Sequence, residues 1–97
     1  SHIETGQIKM HFETIDMVKL TEEVIEQFEE KAGERNIKVR IQGHPHKVSA
    51  YADWQRISQV MTNLISNAIK HSHEGGEVLI EFEVSKKNVV THVRDHG

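Results

Sequence analysis

Four polar residues at helical spacing carry the clearest chemical signal in this 97-residue chain. At ~100° per residue, Asn63, Asn67 and Lys70 fall within about 60° of one another, with His71 beside Asn67. An Asn carbonyl is a neutral oxygen ligand suited to Mg²⁺, which keeps most of its waters and binds substrate phosphates. A Lys adds a mobile positive charge for phosphate oxygens. The stripe therefore fits magnesium triphosphate, although an ordinary solvated helix face explains the same residues equally well.

The surrounding apolar residues predict the helix that would carry this stripe. It is expected to run from about Asp53 to His71, and Gly75-Gly76 breaks the helical pattern after it. The polar stripe lies opposite an apolar face, which consists of Ile57, Met61, Leu64 and Ala68, with Trp54 and Ile65 on its flank.

A second helix is predicted nearer the N-terminus, after a short strand. Apolar and polar residues alternate from Ile8 to Phe12, as in a half-buried strand. Asp16 can cap the next helix, because its carboxylate accepts from the free N–H groups of the first turn. Asn36 tolerates a left-handed conformation and is expected to end that helix. The five glutamates between positions 22 and 30 fit a solvated face better than a partner surface.

Alternating patterns predict the remaining strands. Short strands are expected at Val39–Ile41 and Val48–Tyr51, on either side of a turn at Pro45. A longer strand follows at 78–84, with a hairpin turn over 85–88 and a returning strand over 89–94. The resulting order predicts an α+β fold, a two-layer sandwich with helices packed on one face of a mixed sheet.

Asp95 is a further candidate site residue. It has the same strand parity as Val89, Thr91 and Val93, so it is expected to continue their inward-facing row into a pocket. A turn residue at the end of a strand is the simpler alternative for this position.

These motifs together resemble a known family. The run from Asn63 to Ser72, Asn-Leu-Ile-Ser-Asn-Ala-Ile-Lys-His-Ser, resembles the asparagine box of sensor histidine kinases, within the GHKL superfamily of ATP-binding domains. Gly75-Gly76 and the strand after them are similar to the segment that follows this box. Asp95-His96-Gly97 resembles the opening of the first glycine box, Asp-x-Gly-x-Gly. The resemblance implies the two-layer sandwich of the histidine-kinase ATPase type.

The resemblance implies a role for each residue of the site. Asn67 corresponds to the magnesium ligand, Asn63 to a neighbour of the phosphates and the metal, and Lys70 to the cation that contacts the phosphates. His71 corresponds to a position that packs against the nucleotide. Two residues would bind the base: Asp95 accepts a hydrogen bond from the adenine amino group, and Gly97 allows close approach of the backbone. ATP and magnesium are the implied cofactors.

Asn63 separates a kinase from a hydrolase. The gyrase-like, mismatch-repair and chaperone ATPases of the superfamily carry a Glu at this position as general base for water attack. An Asn cannot accept a proton at neutral pH. The resemblance therefore implies γ-phosphoryl transfer to a histidine of a separate dimerisation and phosphoacceptor domain, with a response regulator as indirect partner.

The resemblance also predicts the domain boundaries. Residues 1–7 are expected to end the linker from the phosphoacceptor hairpin, and residues 8–97 to form the N-terminal part of the catalytic domain, incomplete at its C-terminus. Without the acceptor histidine, the ATP lid and the second glycine box, this piece is expected to be inactive alone. An uncovered sheet edge and apolar surface would favour a homodimer.

Composition limits the alternatives. Twelve Lys and Arg against 15 acids give a net charge of −3, which argues against nucleic-acid binding. No apolar run approaches the ~18–20 residues of a membrane span, so a cytoplasmic location without membrane contact is expected, even if a parent kinase were membrane-anchored. Two other functions stay open: a non-catalytic interaction module, and a metal-binding module using the pairs His44/His46 and His71/His73.

Overall fold

The computed structural model describes residues 10–43, 47–85 and 89–96. These residues form five strands and three helices. In chain order they are β1 (Phe12–Asp16), α1 (Met17–Gln27), α2 (Glu29–Glu34), β2 (Lys38–Ile41), β3 (Ser49–Asp53), α3 (Trp54–His71), β4 (Glu77–Val84) and β5 (Val89–His96). The predicted turn around Pro45 and most of the predicted hairpin turn after Ser85 lie outside the described residues.

The strands form a mixed sheet and a separate two-stranded ladder. In the three-stranded sheet β4 is central, parallel to β2 and antiparallel to β5. β1 pairs antiparallel with β3, from Phe12↔Asp53 to Asp16↔Ser49. The predicted α+β architecture with a mixed sheet is therefore confirmed, and β1 and β3 are found apart from that sheet.

The two faces of the mixed sheet differ in chemistry. Val78 and Ile80 of β4 are fully buried on the face that joins the helices in the core. The other face carries ion pairs between neighbouring strands: Arg40–Glu77 at 2.7 Å and Arg94–Glu81 at 3.2 Å. Since side chains alternate along a strand, the helices cover one face and charged pairs cover the other.

The first helix begins as predicted but is interrupted. Asp16 caps α1 by accepting from the backbone N–H groups of Val18 (3.0 Å) and Lys19 (3.4 Å). Asn36 has a φ of 56° and turns the chain out of the helical segment. Phe28 leaves the helix (φ −103°, ψ 4°) and packs against the core. The prediction of a single helix is therefore wrong, because packing of the Phe28 ring against the core competes with a continuous helical backbone.

The first strand is also displaced from its predicted position. It was expected over 8–12, yet β1 spans Phe12–Asp16, with Phe12 exposed and Ile15 buried. Pairing with β3 sets these limits, because backbone hydrogen bonds require a partner strand and local alternation alone does not supply one. Residues 8 and 9 lie outside the described part of the chain.

Helix α3 spans almost the predicted residues, but its buried face is rotated. The side chains of Met61, Ile65, Ala68 and Ile69 are buried. Leu64 was expected on the apolar face and is 41% exposed, whereas Ile69 was not expected there and is 6% exposed. The face rotates by about 50° because the position of the sheet and of α1, rather than the apolar count, decides which side packs.

Asp53 connects the start of α3 to the chain just before β1. Its carboxylate accepts from the backbone N–H of Arg56 at 3.2 Å, as an N-cap, and from the backbone N–H of His11 at 2.8 Å. These backbone hydrogen bonds, chiefly the one from His11, outweigh the opposing effect of burial and lower the pKa of Asp53. The folded protein therefore favours the ionised carboxylate.

This lowered pKa predicts a pH dependence of stability. Asp53 contributes stability above its unfolded pKa of about 4, and the contribution disappears as the pH falls through the lower folded pKa. Asp53→Asn keeps a capping side chain but removes this titration. Urea unfolding from pH 7 down to about pH 2 should show a shallower acid-induced loss of stability in the variant. Parallel pH profiles for the two proteins would contradict the role of this carboxylate.

Candidate functional site

The amphipathic character of α3 places the polar stripe in solvent. Asn63, Asn67, Lys70 and His71 are all exposed. At ~100° per residue they centre opposite the buried face around Ile65, which has no exposed surface. The stripe occupies about 10 Å of helix between Asn63 and Lys70, at a rise of ~1.5 Å per residue. Folding thus leaves the amide and ammonium groups accessible to a ligand.

The sheet register determines where Asp95 lies. Asp95 is opposite the buried Val78 in the β4–β5 ladder, on the same face as Val89 and Val93, which pack against the core. Its own side chain is nevertheless exposed. The structure places the carboxylate where the inward row of β5 emerges from the core. Gly97, the other residue expected at the base, lies outside the described residues.

Helix α3 and strand β5 run in the same direction, so their C-terminal ends lie toward the same end of the molecule. Ile57, Val60 and Leu64 of α3 line one groove with Val89 and Thr91, the first part of β5. The later residues of the helix must then approach the later residues of the strand. A short connection also separates His71 from β4, which begins at Glu77 beside the end of β5. The polar stripe and Asp95 therefore lie toward the same end of the molecule.

Two hollows adjoin the helix, and sequence reasoning missed both. The larger, about 520 Å³, is a mainly apolar groove between α3, β3 and the start of β5, and Tyr51, Val60 and Val84 are among its exposed lining residues. The smaller, about 350 Å³, lies between α2 and α3 and is lined by Lys31, Arg35, Ser66 and Lys70 among others. Neither includes Asn63 or Asn67. Leu64 lines the larger groove and could have indicated it, but the sequence pattern assigned this residue to the core.

The described residues hold no cluster of three or more His, Cys, Asp or Glu side chains placed to bind a metal. His71 and His73 are described and exposed, whereas His44 and His46 fall outside the described ranges. Asn67 offers a different kind of ligand, a single amide oxygen open to water. That arrangement fits Mg²⁺, which retains several waters and completes its shell with substrate phosphates. In the part of the chain that the structure covers, no helix is long and apolar enough to cross a membrane.

Comparison with known proteins identifies the class. Residues 52–97 match the family of histidine kinase-, DNA gyrase B- and HSP90-like ATPases. The matched segment includes α3 and β5. The fold matches the catalytic domain of the histidine kinase ThkA with a TM-score of 0.84 and 33% identity, over 91% of this chain and 60% of that one. Residues 52–97 therefore belong to this ATPase family, and the chain has the fold of a histidine kinase catalytic domain.

Individual relatives are sensor kinases. The adaptive-response sensory kinase SasA of Crocosphaera subtropica is 39% identical over 78 residues, covering 79% of this chain and 20% of SasA. A structure of ThkA in complex with the response regulator protein TrrA matches 91% of this chain and 26% of that chain, with 32% identity and a TM-score of 0.82. Full-length ShkA in complex with AMPPNP matches 89% of this chain and 19% of that chain, with 25% identity and a TM-score of 0.72. This chain thus spans a fifth of the length of SasA.

Proposed function

We propose that this chain is the ATP-binding part of a sensor histidine kinase catalytic domain, which binds Mg-ATP and passes the γ-phosphoryl group to a histidine on a separate phosphoacceptor domain. Residues 8–97 would belong to the catalytic domain and residues 1–7 to the linker before it. The observation that carries the proposal is the solvent-exposed stripe on α3, opposite the core, within a member of this ATPase family. The AMPPNP bound to ShkA supports a nucleotide ligand.

Each residue of the stripe has a role in this proposal. The amide oxygen of Asn67 would bind Mg²⁺, and the ion would offset the negative charge of the phosphates. Asn63, one turn earlier, would hydrogen-bond the phosphates or the waters of the metal. Lys70 would attract the negative charge of the transferring phosphoryl group. His71 would pack against the nucleotide, and Asp95 with Gly97 would bind adenine.

The composition of α3 favours phosphoryl transfer over hydrolysis. No Asp or Glu occurs in its 18 residues, so the helix offers no carboxylate to activate water. Asn63 is exposed at the position where the ATPase members carry their general base. A positioned acceptor does not require a base from this helix, because catalysis by charge neutralisation and orientation is sufficient. A response regulator, as in the ThkA–TrrA complex, would receive the phosphoryl group later.

A second candidate function, self-association, has its own observation. β5 is an edge strand of the mixed sheet among the described residues, and Val84 and Val90 near its start are exposed. Unpaired strand edges with apolar neighbours promote pairing between chains. Sedimentation of a clean monomer at high protein concentration would remove this candidate without affecting the nucleotide site.

An NMR titration with ADP, in the presence and absence of magnesium, tests the proposed function. Magnesium-dependent shifts are expected at Asn63, Asn67 and Lys70, and nucleotide-dependent shifts at Asp95. The same titration in the parent kinase serves as the positive reference. If neither protein responds up to millimolar nucleotide, or if the shifts lie only around Tyr51 and Val84, the proposal is wrong.

Asp95→Asn tests recognition of the base. The variant keeps an acceptor oxygen but removes the charge that strengthens the bond to an adenine amino group. ADP affinity is expected to fall about 10-fold, the equivalent of ~1.4 kcal/mol. Inosine diphosphate has an acceptor carbonyl in place of the amino group, so its affinity should not fall in the variant, as measured by calorimetry in the parent kinase. An equal loss for the two nucleotides would show that Asp95 does not read the base.

A further inference from the structure

The C-terminal turn of α3 is held by a side chain from a distant part of the chain. The guanidinium group of Arg35 donates from Nη1 to the carbonyl oxygen of Ile69 and from Nη2 to that of Ser72. The carbonyl oxygen of Lys70 lies 3.5 Å from the same Nη1. The last carbonyls of a helix have no partner within it, and a cation there also faces the negative end of the helix dipole. Arg35 therefore completes the end of α3.

The backbone around Arg35 reinforces this contact. Its carbonyl oxygen accepts from the backbone N–H of Gly75 at 2.9 Å, and the backbone N–H of Lys38 donates to the carbonyl of Gly76 at 3.1 Å. The left-handed conformation of Asn36 turns the chain between these two contacts. The segment after α2 thus binds both the end of α3 and the turn that follows it.

The contact lies next to the residues assigned to the nucleotide. Lys70 and His71 are the last two residues of α3, where helices tend to fray. Ser72 helps from within the chain, because its Oγ donates to the carbonyl of Ala68 at 2.8 Å. Without the guanidinium, however, the carbonyls of Ile69 and Ser72 lose the partner that ties them to α2. The backbone that carries Lys70 and His71 would then be free to move relative to Asn67.

We propose that Arg35 is a positioning residue: it holds the last turn of α3 and thereby orients Lys70 and His71 in the nucleotide site. This inference rests on the proposed nucleotide-binding function. Arg35 acts through the helix and not on the ligand, since its guanidinium N–H groups are directed at backbone carbonyls. The planar fork matters, because it reaches two carbonyls at once, whereas a Lys ammonium is a single point of contact.

The variants Arg35→Gln and Arg35→Lys test this role. Arg56→Gln is the matched control, because it removes the same charge at the other end of α3, about 20 Å from Ile69. Val48→Ala, at a buried position outside α3, controls for a general loss of stability. Three quantities are measured: amide hydrogen exchange at residues 70–76 without nucleotide, Mg-ADP affinity in the parent kinase, and the urea midpoint of unfolding.

Arg35→Gln is expected to accelerate exchange at residues 70–76 and to lower Mg-ADP affinity by about 10-fold. That is the loss expected when one charged contact with the ligand, here the one proposed for Lys70, is no longer well made. Arg35→Lys should recover part of both effects. Val48→Ala should lower the midpoint of unfolding yet bind as the unaltered protein does, and Arg56→Gln should change neither exchange nor affinity. The proposal is overturned if Arg35→Gln leaves either quantity unchanged, or if Val48→Ala reproduces its loss of affinity.

Failure of the proposed function gives a different result. If the unaltered kinase does not bind Mg-ADP, while Arg35→Gln still accelerates exchange at residues 70–76, the nucleotide assignment is rejected. The contact between Arg35 and α3 is then confirmed as purely structural, and its role in positioning a ligand is overturned.

Discussion

Replacing Asn67 with Ala is expected to weaken Mg-ADP binding by about 10- to 100-fold, the equivalent of losing a metal-linked contact worth ~1.5–3 kcal/mol. The side chain is exposed on α3, so no packing is lost. Ala is also a better helix former than Asn, because the Asn amide competes for backbone hydrogen bonds. The variant should therefore unfold at the same urea concentration as the unaltered protein, or a higher one. Lower affinity without lower stability distinguishes a ligand contact from a folding defect.

The Asn67→Ala measurement requires a magnesium control. Calorimetry in the parent kinase with EDTA should remove most of the difference between the two proteins, because the proposed contact of the amide oxygen is with the metal. Gln55→Ala provides the matched substitution, since it removes an exposed amide from the first turn of the same helix. Equal affinity of the Asn67→Ala variant and the unaltered protein in magnesium would refute the metal assignment.

The second large effect concerns the core beneath the site. Ile80→Ala is expected to lower the free energy of unfolding by about 2–5 kcal/mol. Ile80 has no exposed surface and lies on the central strand, between Ile41 of β2 and Val93 of β5. Truncation removes buried apolar atoms and leaves a cavity that a central strand cannot collapse to fill. Total stabilities of about 5–15 kcal/mol are usual, so partial unfolding at 37 °C is expected.

The neighbour of Ile80 supplies the comparison. Leu79→Ala removes an apolar side chain of similar size from the opposite, partly exposed face of β4. Its cost should be clearly smaller, and Ile80→Val should cost only about 0.5–1.5 kcal/mol. Urea unfolding of the three variants ranks them. If Leu79→Ala proves as costly as Ile80→Ala, the assignment of the inner face of the sheet is wrong.

These two predictions probe opposite sides of one layered arrangement. The apolar face of α3 packs toward the sheet, and the asparagines project from the other side. Affinity and stability should therefore respond to different substitutions. Arg35 is the exception, because its contacts hold the end of α3 that carries Lys70 and His71.

Several local features were predictable from neighbouring residues alone. The N-cap at Asp16 and the left-handed Asn36 follow from short-range hydrogen bonding and backbone sterics. The extent of α3 follows from its periodicity and the glycines after it. The family and the fold class were predictable because the asparagine box and its flanking strand occur in order. The assignment of Asn63, Asn67, Lys70, His71, Asp95 and Gly97 to a nucleotide stays a prediction.

The errors arose where distant segments compete. A continuous first helix satisfied local propensity, yet Phe28 leaves it to pack against the core. Pairing with β3 sets the limits of β1. Leu64 is exposed and Ile69 is buried instead, because the packing partners of α3 decide which of its faces is buried. Arg35 carried no local signal, since its acceptors lie 34 and 37 residues away. Helices, caps and the polar stripe depend on residues a few positions apart, so they are visible in the chain. Strand partners, the buried face of α3 and the hold on its end depend on the whole fold, because each requires a partner that only folding brings into contact.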